Sequence, residues 1–175
     1  MALDQAQALY DLVRSDAQLT RALFRQALQD PQGTLDQLVA IAESQGLQVS
    51  RDDIRSYAVK LSEVAKWSTD QGMPVAYHHH MGSIIESEDD VNWLMEYSDP
   101  TALKLCFDTG HLLFGGGDVL ATLDRWGDRV HHVHFKDIRP DVVKSIRENR
   151  GSFLDAVIAG AFTVPGDGCI DFHAV

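Results

Sequence analysis

From Met73 onward two patterns alternate along the chain, and this restricts the fold more than any other feature of the sequence. Short runs rich in Val, Leu, Phe and other aromatic residues ("MPVAY", "LKLCFD", "VHHVHF") are separated by the helical patterns "SEDDVNWLMEY" and "GDVLATLDRW". A strand reaches a parallel neighbour only through a crossover, and a helix supplies one. Successive strand–helix units therefore build a parallel sheet, and the second half of the chain is α/β. In such sheets the ligand site lies beyond the C-terminal ends of the strands, so the residues that close each strand are the ones to read for chemistry.

The first strand closes on His78, His79 and His80, and the second on "FDTGH", which supplies Asp108 and His111. The third is "HHVHFKD", where the period of two puts His132 and His134 on one face and His131 and Val133 on the other, with Lys136 and Asp137 just past the end. Three strands thus deliver imidazole or carboxylate to one rim. Nitrogen and oxygen donors of this kind suit Mn, Co, Fe or Zn better than Ca or Mg. Several elements also have plainer readings. Three histidines in a row can be a purification remnant, but tags sit at termini, whereas these come after a strand and precede a capped helix. His131, of opposite parity to His134, reads as solvated or packed, and His79 is open between packing and ligation. Lys136 and Asp137 are either an exposed ion pair or members of the site. The acidic run "ESEDD" reads as charge at a helix N-terminus, and "GGG" at 115–117 as a turn.

Residues 1 to about 70 read as helices only. Leu3, Ala6, Leu9, Tyr10 and Val13 form an apolar stripe at spacings of three and four, and "DAQLTRALFRQAL" repeats the pattern. "DPQG" at 30–33 reads as a break, with a capping-box pair, Thr34 and Gln37, after it and Gly46 as the C-terminal stop. Ser50 and Asp53 open a further helix that keeps Ile54, Ala58, Leu61 and Ala65 on one face. The expected fold is α/β with parallel strands over 59–175, preceded by an all-α three-helix module over 1–58.

Charge narrows the partners. Fifteen Lys and Arg against 26 Asp and Glu give a net charge of −11, which argues against nucleic acid, whose phosphates are bound by basic side chains. No long apolar run or basic-then-apolar N-terminus suggests a membrane span or secretory signal, so the expected compartment is the cytoplasm. Cys106 and Cys169 match no zinc or redox spacing and read as ordinary buried or half-buried thiols.

"YHHHMGS", "FDTGHLLFGGGD", "HVHFKDIRPDVV", "SFLDAV" and "FTVPGDGCIDF" together resemble the inosose dehydratases, members of the xylose-isomerase-like barrel superfamily, from about residue 60 onward. The resemblance implies a TIM barrel that uses a divalent metal, manganese or cobalt, to dehydrate 2-keto-myo-inositol in inositol catabolism. The superfamily holds its metal with a glutamate, an aspartate, a histidine and a second glutamate. Carried over, the metal ligands are His78 (in the first glutamate's place), Asp108 and His134. His80 and His111 become substrate-binding residues, and His111, Lys136 and Asp137 catalytic ones. Proton removal beside a ketone leaves an enediolate that a Lewis acid stabilises, while a second group helps hydroxide leave.

A whole barrel needs roughly 250 residues, so the resemblance implies a partial (β/α) barrel segment over 59–175, a middle slice, and the strand with the second glutamate would come after "GDGCIDFHAV". Activity is then expected to require self-association or a complementing barrel fragment. Residues 1–58 resemble the nitrogen-fixation-linked helical domain that also serves as a leader peptide. The competing reading is a non-catalytic helical leader or binding protein fused to an inactive enzyme fragment.

Overall fold

A computed structural model describes residues 2–27, 30–46 and 50–175. The chain forms two compact units, Met1–Asp53 and Ile54–Val175.

The first unit holds α1 (Ala2–Ser15), α2 (Ala17–Ala27) and α3 (Pro31–Ser44). Asp16 separates the first two helices, and its carboxylate accepts from the Gln18 and Leu19 amides at 2.9 and 3.0 Å, satisfying donors that open α2. Leu23 is buried, whereas Tyr10, counted in the apolar stripe, is exposed; Leu3 and Ala6 lie outside the described side chains. The helix assigned to begin beyond Thr34 starts earlier. Pro31 occupies its first turn, where a missing N–H costs nothing, and the Thr34 hydroxyl donates to the Asp30 carbonyl at 3.0 Å instead of capping. Gly46 does end this stretch, with φ +66° in the left-handed region. The next helix, α4 (Arg51–Asp70), opens as expected: the Ser50 backbone and hydroxyl donate to Asp53 at 3.0 and 2.7 Å.

The second unit begins within α4 and continues through β1 (Val75–His78), α5 (Glu88–Tyr97), β2 (Leu103–Asp108), α6 (Thr109–Phe114), α7 (Val119–Trp126), β3 (Val130–His134), β4 (Asp137–Ile138), α8 (Pro140–Glu148), α9 (Phe153–Ile158) and β5 (Phe162–Thr163). β1, β2 and β3 form a parallel sheet with β2 in the centre, as the alternation required. The acidic run is the start of α5: Ser87 and Asp90 make a reciprocal capping box, with Glu88 and Asp89 in the first turn. "GGG" is the turn between α6 and α7, and Gly116 there takes φ +89°.

One face of β2 presents Leu103, Leu105 and Phe107 to a core completed by Ile54, Ala58 and Ala65 of α4, Val91, Leu94 and Met95 of α5, and Leu112. At the opposite end of β2 from the strand closers, the buried Arg129 guanidinium donates to the Met95 and Leu103 carbonyls and the Ser98 hydroxyl at 2.9–3.0 Å, fixing the start of β3 against α5 and β2. β4 and β5 pair antiparallel, an element that the sequence patterns do not mark, over a smaller core of Phe114, Ile138, Val143, Ala156 and Ala161.

Candidate active site

Parallel register decides which side chains meet. His78 pairs with Cys106 across β1 and β2, and Asp108 with His134 across β2 and β3. Successive side chains alternate faces, so His78, Asp108 and His134 leave the sheet on one side at its C-terminal edge. Asp108, fully buried, is the hub. Its Oδ2 lies 3.0 Å from His78 Nε2, 3.2 Å from His134 Nδ1 and 2.5 Å from Lys136 Nζ. Its Oδ1 accepts from the His111 amide at 3.0 Å, which makes the same residue the N-cap of α6. Burial alone would raise the Asp108 carboxyl. The Lys136 ammonium, the His111 amide and His78 outweigh burial and hold it at about 2.

His78 Nε2 and His134 Nδ1 face each other at 3.2 Å. With the carboxylate oxygen they form a triangle with edges of 3.0–3.2 Å. Neighbouring ligands about 2.1 Å from a shared ion stand about 3 Å apart, so the donor types and their spacing both fit a divalent cation. His78, Asp108 and His111 also offer a donor atom each within 4.8 Å of one another. Burial lowers the His78 imidazole despite Asp108 beside it, which keeps the ring neutral and able to ligate.

Beside this triangle lies a cluster of aromatic groups. His111 is buried, and its ring packs on His80 with centroids 3.8 Å apart and on Phe162 and Phe153 at 5.1 and 5.8 Å. Burial pushes the His111 imidazole down to about 3, and its Nδ1 has no hydrogen-bond partner. His80 Nδ1 lies 2.8 Å from the Met81 carbonyl; a carbonyl only accepts, so this nitrogen carries a proton, and in the neutral ring Nε2 is the acceptor.

His79 resolves to packing. It is fully buried on the opposite face, against Phe107, and its Nε2 accepts from the Asp108 amide at 3.2 Å. His131 is exposed, and His132 shares a face with His134, their rings 5.3 Å apart. Lys136 joins the cluster, but Asp137 does not. After His134 the chain turns tightly, with the Lys136 amide donating to the His134 carbonyl at 3.0 Å. The turn ends the period of two and sends Asp137 into β4. There its buried carboxylate accepts from the Ile138, Gly166, Gly168 and Ile170 amides at 2.8–3.0 Å. In place of the catalytic part foreseen for it, Asp137 holds the loop after β5. Of the thiols, Cys106 is buried and Cys169 is exposed rather than half-buried.

Sequence reasoning passed over Phe153, Phe162 and Thr109, whose hydroxyl donates to the Lys136 carbonyl at 2.7 Å and steadies the ammonium-bearing residue. Only the parity of β2 could have marked Cys106.

Parts of the chain are similar to known proteins. An inosose dehydratase of Clostridium tetani is 45% identical over 126 residues, covering 72% of this chain and 42% of the relative. One from Geobacillus thermodenitrificans is 47% identical over 115 residues, covering 66% of this chain and 39% of the relative. Over these stretches the chain is similar to inosose dehydratases. A match of 126 residues in a chain of 175 cannot avoid the middle of the sequence, so it takes in His78, Asp108 and His111. The chain spans about two fifths of the length of these relatives. Among solved structures, the probable 3-DHS dehydratase AsbF of Bacillus anthracis, involved in petrobactin synthesis, superposes with a TM-score of 0.47 and 17% identity, over 63% of this chain and 46% of that one. A family model described as a domain of unknown function (DUF8665) matches residues 6–71, all of α2 and α3 and on through α4. Among the described residues no helix is long and apolar enough to cross a membrane.

Proposed function

We propose that residues 59–175 form the metal-binding part of a dehydratase acting on a keto-inositol such as 2-keto-myo-inositol, in the cytoplasm, with Mn or Co as the ion. The observation that carries this reading is the triangle of His78 Nε2, Asp108 Oδ2 and His134 Nδ1 with edges of 3.0–3.2 Å. When bound, the ion supplies Lewis acidity toward the ketone oxygen. The chain's own groups do the rest. Asp108, ionised through the whole working range, stays available as an anionic ligand. Lys136 keeps its ammonium on Asp108 and supplies a proton donor at the rim. His80 offers Nε2 as an acceptor for a substrate hydroxyl, and His111, kept neutral by burial, faces it. Phe153 and Phe162 exclude water from that side of the cluster. β1 and β3 each have an outer edge that pairs with no strand among the described residues, and either self-association or a complementing barrel fragment would cover them.

For residues 1–58 we propose a separate binding or leader-type helical domain. Support comes from its all-helical unit and from the exposed Tyr10 and Phe24 rings.

Dehydration of the keto-inositol by purified protein with added Mn or Co, monitored as dione formation, tests the main reading. Asp108→Ala removes the hub and is expected to abolish both turnover and metal uptake. Turnover surviving in Asp108→Ala would sink it.

A further inference from the structure

The sheet face that carries the triangle also carries a metal-binding atom that the triangle does not use. Cys106 stands two residues before Asp108 in β2, so its side chain leaves on the same face. In register it lies between His78 on one side and His132 on the other. The thiol is 5% exposed and forms no disulfide. Its Sγ and one ring nitrogen each of His78 and His134 all lie within 4.8 Å of one another.

Charge makes this placement matter. Two neutral imidazoles and one carboxylate set a single negative charge against a divalent ion, and the Lys136 ammonium draws on the same Asp108 oxygen at 2.5 Å. Among the described residues, Asp108 is the only carboxylate in either group of donors at the site. A thiolate below it would supply the second negative charge from within the chain.

We propose that Cys106 is a metal ligand, and that His78, Cys106, Asp108 and His134 form a mixed nitrogen, oxygen and sulfur site favouring Co and Zn over Mn. The inference rests on the metal-site reading of the proposed function and specifies its donor set. Soft thiolate donors select such ions, while Mn prefers oxygen. A metal–sulfur bond of about 2.3 Å and metal–nitrogen bonds of about 2.0–2.1 Å place sulfur and nitrogen about 3.6 Å apart in a tetrahedral site. From within 4.8 Å the sulfur closes on the two ring nitrogens by at most about 1.2 Å to reach that spacing. The bond forms as the thiol proton leaves to solvent, so binding releases one proton from this residue.

The test is a titration of the metal-free full chain with Co(II) alone. The expected result is a near-ultraviolet sulfur-to-cobalt charge-transfer band that rises together with the weaker visible d–d bands. The band persists in Cys169→Ser and is lost in Cys106→Ser. Cys106→Ser is also expected to weaken Co and Zn uptake more than Mn uptake. Visible bands without the near-ultraviolet band in the unaltered chain would overturn the thiolate ligand and leave the nitrogen and oxygen site standing. Survival of the band in Cys106→Ser would overturn it too, and no cobalt uptake at all would remove both readings. Should Cys106→Ser not fold, X-ray absorption of the zinc-loaded unaltered chain decides: a sulfur neighbour at about 2.3 Å supports the proposal, and a shell of nitrogen and oxygen alone overturns it.

Discussion

Asp108 is held by groups on both sides of the sheet, and this gives single residues a measurable signature. On the far face, His79 accepts from the Asp108 amide through Nε2, so the proton of its neutral ring sits on Nδ1, which is buried without a partner. Burial pushes His79 down to about 4, and His111 down to about 3. Both folded values lie below the ordinary imidazole value of about 6.5. Between about pH 6.5 and 4, the unfolded chain therefore binds protons that the folded chain refuses, and stability is lost as the pH falls through that window. For His79 the loss is on the order of 3 kcal/mol by pH 4. Asp108 adds its own loss only lower, below its unfolded value near 4 and toward its folded value of about 2. Urea unfolding of metal-free protein at a series of pH values is expected to show the first slope. In His79→Gln, whose amide oxygen can still accept from Asp108 but does not titrate, the slope between pH 6.5 and 4 should flatten. An unchanged slope would mean that His79 protonates freely in the folded state.

At the scale of elements, simple periods are visible in the sequence, and the chain's course beyond a tight turn is not. The strands and the delivery of His78, Asp108 and His134 to one rim were legible because strands joined by crossover helices run parallel and close at the same edge, whereas their sharing of one face was not, because a one-residue slip in register would have moved any of them to the other side. α5 was legible because Ser87 and its acidic first turn carry the chemistry that opens a helix. Asp137 was not, because the tight turn at Lys136 cancels parity one residue before it. The site therefore owes part of its geometry to β4, β5 and the 166–170 loop, which no pattern announced. Gly168 tests how firmly that loop is held. A Cβ at this position would run into the Asp137 carboxylate and the Ile138 carbonyl, which are backbone-anchored and cannot step aside. Gly168→Ala is expected to lower stability by about 1–3 kcal/mol, the usual range for forcing a methyl into a filled space. Asp137→Asn, which turns donors toward backbone amides, should do similar damage. Chemical denaturation with the midpoint compared at constant slope checks both, and wild-type stability in Gly168→Ala would show that the loop rearranges freely.

For the whole molecule, the three-stranded sheet raises the question of what covers its edges. Neither β1 nor β3 has a partner on its outer side among the described residues, and His131 and His132 of β3 are exposed. Edges of this kind pair with other strands unless they are protected. A chain carrying a net charge of −11 repels its copies, though, so two opposing effects set the outcome. Charge repulsion between surfaces is screened over a Debye length of about 30 Å at 0.01 M salt and about 8 Å at 0.15 M, whereas strand pairing and apolar contact do not weaken with salt in that range. Self-association through the sheet edges should therefore strengthen as salt rises, the reverse of an association held by opposite charges. Sedimentation velocity over a range of protein concentrations at about 10 and 150 mM salt, the two screening regimes, is expected to show a larger associated fraction at the higher salt. His132→Lys, at an exposed edge position, should reduce that fraction by leaving a charge to be buried at the pairing edge. If the associated species is also the one that turns over keto-inositol, specific activity will climb with protein concentration along the same curve. A monomer at every concentration and both salts would exclude completion of the sheet by a second copy and leave a complementing fragment as the partner to seek.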